Sequence, residues 1–292
     1  MIDRRTCNSD ADYDAWLAVR RAVLPDERTV SLPELRSTIR PRDVHLLAYL
    51  DGELAGSGLL NRSDSGGAHT APRVLPDKRG RGVGAALLRR LAELAFEGGY
   101  TRAGALVNAG DERSVRFATR FGFEERRRDV QQVLAVGAAP EPAALRGITF
   151  VSIAERPELL AEAYPVAQQG YEDMPIEGID IPIEQWLVEE ATLPAGSFAA
   201  LADGEVVGYA GLLHWPDEPK AEHGLTVVRR DWRRRGVATR LKRHQIAWAA
   251  ANGIQELVTY TQTGNEDMQR VNERLGYSTR EQTISFGREL PL

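Results

Sequence analysis

The chain has 292 residues, 42% of them hydrophobic and 27% charged, with a formal net charge of −5 at pH 7. That length supports two domains with separate cores, the composition excludes global disorder and fibrous repeats, and the negative balance argues against a general nucleic-acid binder. The single cysteine, Cys7, excludes an internal disulfide or a cysteine metal cluster, and no window approaches the roughly 18 apolar residues of a membrane helix. The N-terminal stretch mixes charges and lacks the apolar core of a signal peptide, so a soluble, cytoplasmic protein is expected, with Cys7 near a mobile terminus.

In chain order, the capped amphipathic stretch SDADYDAWLAVRRAVL predicts a helix over 9–24, followed by a shorter one near SLPELRSTI. A strand at VHLLAYL runs through the Asp51-Gly52 turn into LAGSGLL, because Asp-Gly readily takes the positive φ angles of a two-residue hairpin. A further strand ends near Val74 to Pro76, and GAALLRRLAELAFEGG has helical spacing and a Gly-Gly stop. TRAGALV reads as a strand, DERSVRFATRFG as a helix and RDVQQVLAV as a closing strand.

The same order then recurs. Arg79 and Gly122 each have a counterpart 154 residues on, at Arg233 and Gly276, and the turn at Asp51 has its twin at Asp203. Such an offset is far too long for a solenoid and indicates a duplicated domain. GAAPEPAALRG lacks periodicity and reads as a linker. The expected domains are therefore 1–137 and 148–292, joined by 138–147. Each is α+β, with a mixed, mostly antiparallel twisted sheet flanked by helices.

DKRGRGVGAALL and DWRRRGVATRLK both place a glycine-arginine turn directly before a helix. The first N–H groups of such a helix lack partners and sit at the positive end of its dipole, so the turn suits an anion such as a pyrophosphate. A Walker loop is excluded by the missing Gly-Lys-Ser/Thr ending, and a dinucleotide fingerprint by the glycine spacing. Arg79-x-x-Gly82-x-Gly84 and Arg233-x-x-Gly236-x-Ala238 resemble the acetyl-CoA segment of the GNAT superfamily of N-acetyltransferases. The resemblance covers nearly the whole chain, twice. It implies that acetyl-CoA is the cosubstrate and that the main chain of Arg79, Gly80, Arg81, Gly82, Val83 and Gly84 holds its pyrophosphate. Arg233, Arg234, Arg235, Gly236, Val237 and Ala238 do so in the second copy, with Val74 and Val228 ending the strands beside the pantetheine.

The tyrosine that many relatives use as the acid is replaced by Ala118 in the first copy and by Asn272 in the second. Thr226, Leu241, Lys242, Thr259, Asn265, Met268 and Asn272 resemble one subgroup of the family, so the second domain is expected to be catalytic. The first is expected to be degenerate but able to bind CoA. Asn265 and Asn272 are candidates for contacting the cofactor, with helix capping and helix–helix hydrogen bonding as the alternative. Glu222 is the candidate base, Asn272 the second candidate in catalysis, and Tyr277 a packing residue. Glu172, Asp173 and Glu177 are candidates for drawing in a cationic amine, surface solubility being the alternative. No metal site is indicated. The implied activity is acetyl transfer to a small-molecule amine. A non-catalytic acyl-CoA sensor or scaffold, modification of protein amines, and an acceptor like that of the mycothiol synthases, whose tandem architecture is similar, stand as alternatives.

Overall fold

The computed structural model describes residues 1–63, 67–174, 179, 181–216 and 218–292. Two compact units emerge: Met1–Arg128 with Thr283–Leu292, and Asp129–Gln282. No helix among the described residues is long and apolar enough to cross a membrane.

In the first unit β1 (Ile2–Thr6) precedes α1 (Asp10–Val23) and α2 (Leu32–Thr38). Ser9 and Asp12 cap α1 reciprocally, each side chain meeting the other's backbone N–H, which holds Tyr13, Trp16, Leu17 and Val19 toward the sheet. The sheet continues with β2 (Val44–Leu50), β3 (Glu53–Arg62), β4 (Ala68–Val74) and β5 (Arg102–Asn108). Helix α3 (Val83–Glu97) packs Leu87 and Leu91 with Leu46, Ala48 and Ala68, while Trp16 and Leu17 cluster with Leu35 and Leu47. Helix α4 (Glu112–Arg120) packs Ala118 with Phe123.

Two sequence expectations change here. Strand β1 pairs antiparallel with β2, although its IDRRT sequence has no apolar alternation, because an edge strand needs only one face and its main chain. Cys7 is not in a mobile tail: it is 4% exposed, and burial pushes its thiol up to about 12.

The second unit repeats the plan. After β6 (Glu124–Ala135) come β7 (Thr149–Ser152), α5 (Glu158–Glu172), α6 (Ile183–Glu189), β8 (Phe198–Ala202), β9 (Glu205–His214) and β10 (Lys220–Val228). Helix α7 (Val237–Ala251), β11 (Glu256–Gln262), α8 (Glu266–Arg274) and β12 (Ser278–Glu289) complete the chain. Trp186, Tyr209, Val227 and the apolar face of α5 form one core, and α7 buries Val237 and Leu241 in another.

The closing strands are exchanged between the copies. Residues 129–135 of β6 pair antiparallel with β11, from Asp129↔Gln262 to Ala135↔Glu256. Residues 283–289 of β12 pair antiparallel with β5, from Thr283↔Asn108 to Glu289↔Arg102. The units therefore depart from the expected boundaries 1–137 and 148–292: residues 129–137 lie in the second unit and 283–292 in the first. The two strands occupy equivalent places in the duplicated sequence, and each pairs with the sheet of the other copy.

Among the described residues, each unit contains one parallel pair. β4 meets β5 only at Ala68↔Ala103 and His69↔Gly104, and β10 meets β11 only from Lys220↔Glu256 to Glu222↔Val258. Beyond these pairs β4 and β5, and β10 and β11, do not pair with each other further among the described residues. Each sheet thus has an opening that leads toward the glycine-arginine turn.

Candidate functional site

The two turns are built alike. A single 3₁₀ turn follows each strand, and the helix that comes next is capped by a glycine in the left-handed region, Gly82 at φ 87° and Gly236 at φ 82°. Neither helix has a side-chain cap, so its first N–H groups are free to meet an anion. Arg79 donates from Nε to the Val74 carbonyl at 3.2 Å, and Arg233 to the Val228 carbonyl at 2.9 Å. These arginines therefore tie the turn to the strand end. Val83 and Val237 point inward, 1% and 2% exposed, so only their main chain can serve a ligand. Arg234, at φ 60°, stands where the first copy has Gly80. Arg81, Arg234 and Arg235 are exposed beside the turns.

The second opening has a feature that the first lacks. The β9–β10 register shifts by one residue between His223 and Thr226, whereas β3–β4 is regular from Gly56↔Val74 to Arg62↔Ala68. This bulge at Gly224 and Leu225 receives the carboxyl of Glu190, the residue that ends α6. The Leu225 N–H donates to Glu190 Oε1 at 3.3 Å and Oε2 at 3.4 Å, and the Tyr209 hydroxyl approaches Oε2 at 3.5 Å. Gly211 and Gly224 make the seat: a Cβ at either would overlap Oε2, at 2.5 Å for Gly224. Burial, with smaller contributions from Glu189 and Glu222, raises the Glu190 carboxyl to about 7. The residue as a whole is half-buried, while its carboxyl is desolvated against the two glycines.

On the α7 side of β10, His223 sits in a buried chain of hydrogen bonds. The Gln245 amide nitrogen donates to the Ala210 and Gly211 carbonyls at 3.2 and 2.9 Å, which leaves its oxygen toward His223 Nδ1 at 3.0 Å. Nδ1 must then carry the proton, and Nε2 accepts from the Tyr277 hydroxyl at 2.6 Å. Lys242 lies over the Tyr277 ring at 5.4 Å; it is 1% exposed and its Nζ has no hydrogen-bond partner among the described residues, and burial lowers it to about 7.

Several expected site residues occupy other roles. Asn265 caps α8 by accepting from the Met268 N–H at 3.3 Å. Asn272 is 0% exposed and donates to Gln132 at 2.8 Å and Thr261 at 3.3 Å; the incoming segment of β6 covers it, so it does not reach the opening. Glu172 and Asp173 are ion-paired to Arg230, and Asp173 also to Arg233 at 2.5 Å. They brace the turn instead of facing an incoming amine, and Arg230 holds the Asp173 carboxyl below its ordinary range. Glu177 lies outside the described residues. Glu222, half-buried, sits at the last parallel pair with β11, at the mouth of the opening. Sequence reasoning missed Glu190. Its only signal was a glycine inside each of two adjacent strands, and nothing in the sequence links these glycines to a helix end.

The model of the acetyltransferase (GNAT) family matches residues 12–123 and 158–277. A mycothiol acetyltransferase of Streptomyces coelicolor is 29% identical over 272 residues, spanning 88% of this chain and 83% of that protein. One from Amycolatopsis mediterranei is 26% identical over 270 residues, covering 84% of each. Among solved structures, a tandem GNAT protein from the clavulanic acid biosynthesis pathway superposes with a TM-score of 0.79 at 19% identity over the full length of both chains. A GCN5-related N-acetyltransferase from Sphaerobacter thermophilus gives 0.75 at 19% identity, covering 99% of this chain and 95% of that one.

Proposed function

Because the chain belongs to the acetyltransferase (GNAT) family, we propose that its second unit transfers the acetyl group of acetyl-CoA to the amine of a small molecule, in the cytoplasm, while the first unit is non-catalytic. Acetyl-CoA supplies the activated thioester. The uncapped N–H groups at the start of α7 suit its pyrophosphate, with Arg234 and Arg235 adding positive charge nearby. An amine attacks only when unprotonated, so a base that titrates near neutrality is needed. Glu190 fits that role, and Glu222 supplies the second negative charge that draws an ammonium group to the opening.

The observation that carries this reading is the bulge at Gly224 and Leu225 with the Glu190 carboxyl seated on it, for which the regular β4 has no counterpart. The acceptor used by the mycothiol acetyltransferases is the second reading, favoured by similarity along most of both chains. The test is release of free CoA thiol from acetyl-CoA across a panel of amines, in wild type and in Glu190→Gln. No amine raising release above the blank defeats transfer. Turnover lost in the variant with acetyl-CoA binding intact defeats the scaffold alternative.

A further inference from the structure

The first unit has its own unexplained polar site, beneath α1. Among the described residues, five of its buried side-chain atoms lack a protein partner: Thr29 Oγ1, His45 Nδ1, Ser57 Oγ, Asn61 Oδ1 and Arg73 Nη1. The last four come from β2, β3 and β4 on the face that carries Leu47 and Leu59, and Thr29 comes from the loop joining α1 to α2. Trp16 connects two of them: the Arg73 guanidinium lies 5.2 Å from its ring centroid and the His45 ring 4.8 Å from it. Ser57 and Arg73 are direct cross-strand partners, so their side chains stand side by side.

Arg73 is only 7% exposed and pairs with no carboxylate among the described residues. The acid nearest in influence, Glu27, is held by Arg20 at 3.3 Å. Burial lowers Arg73 to about 9, so it keeps its charge at neutral pH. Burying a cation without a carboxylate is costly, the Trp16 face offsets only part of that cost, and a ligand counter-charge would offset the rest.

The second unit shows what this site replaces. In the paired registers, Arg73↔Ser57 corresponds to Val227↔Tyr209, and His69↔Asn61 to Glu222↔Leu213. The copy with two carboxylates at its opening suits a cation; its duplicate carries one buried cation, Arg73, beside His69 and His45, which burial lowers to about 4 and so keeps neutral, and no bulge. The charge available to a ligand there is positive instead of negative.

We propose that the first unit binds a carboxylate on the α1-facing side of β3 and β4, held by Arg73 with Ser57, Thr29 and His45 as further donors. A planar guanidinium matches a carboxylate in geometry as well as charge. Asn61 Oδ1 is an acceptor and meets a hydroxyl or N–H of the same ligand. Two sources share this chemistry: a free small carboxylic acid, or the distal carboxylate of a dicarboxylic acyl thioester, since β4 runs directly from Arg73 into the glycine-arginine turn. The proposal stands whether or not the second unit transfers acetyl groups.

The test is calorimetric titration of the full chain with acetate, lactate, succinate, acetyl-CoA and succinyl-CoA, in wild type, Arg73→Met and Arg73→Lys. The expected result is a carboxylate ligand with a Kd of about 1 mM or tighter, weakened at least tenfold in Arg73→Met and less in Arg73→Lys. Succinyl-CoA binding more tightly than acetyl-CoA only when Arg73 is present identifies the thioester source; succinate or lactate binding with the same dependence identifies the free acid. Because Arg73→Met removes an unpaired buried charge, it melts no lower than wild type, which separates lost binding from lost folding. If no carboxylate in the panel binds in an Arg73-dependent way, or if Arg73→Met folds and binds the carboxylate as wild type does, the proposal is overturned.

Discussion

Replacing Glu190 with Gln should change stability and activity in opposite directions. The carboxyl is raised from 4.5 to about 7, chiefly by burial against Gly211 and Gly224. Below pH 4.5 it is protonated in both folded and unfolded chains and adds no penalty. Between 4.5 and 7 the folded state holds the extra proton, so stability falls as pH rises, and above 7 the whole penalty is present. The shift corresponds to about 3 kcal/mol. Gln keeps a carbonyl oxygen for the Leu225 N–H and never ionises. Urea melts from pH 4 to 9 should therefore show the variant gaining up to about 3 kcal/mol over wild type through this window. In the same series kcat/KM should drop about a hundredfold or more, with loss of the wild-type limb that falls below pH 7. A stability difference that stays flat with pH would show that the carboxyl is not desolvated, and the argument for Glu190 as the base would fail with it.

Four further outcomes follow from other parts of the molecule. Lys242 is lowered from 10.5 to about 7, so wild-type stability should rise between those pH values, and Lys242→Met should exceed wild type by up to about 4–5 kcal/mol at pH 6, as read by urea denaturation. Tyr277→Phe leaves His223 Nε2 without its donor and should cost about 1–3 kcal/mol in the same assay. Gly236→Val forces a β-branched residue to φ 82° and obstructs the start of α7; acetyl-CoA affinity measured by calorimetry should fall about tenfold or more. Asp173→Asn weakens the bracing of Arg230 and Arg233, so steady-state kinetics should show a KM for acetyl-CoA raised about threefold to fivefold with the acceptor KM unchanged.

Much of this protein is local and therefore legible in the chain. The Asp-Gly hairpins, the capping box of α1, the apolar periodicity of α3 and the glycine-arginine turns depend on neighbouring residues, and the duplication exposes the hairpins and the turns twice. The helix caps at Gly82 and Gly236 lie within the residues singled out for the turn because positive φ is a property of the local backbone. What the chain alone left undecided involves partners far apart in sequence. Asn272 reads as a site residue until Gln132, 140 positions earlier, is found bonded to it. Glu172 and Asp173 read as substrate contacts until Arg230 and Arg233 are found against them. The seat of Glu190 needs one glycine from β9, another from β10 and the end of α6. The exchange of β6 and β12 is the strongest case. Duplication makes the two strands equivalent, so hydrophobic pattern and turn chemistry specify a closing strand for each sheet without specifying which copy supplies it, and that choice is made only when the tertiary structure forms.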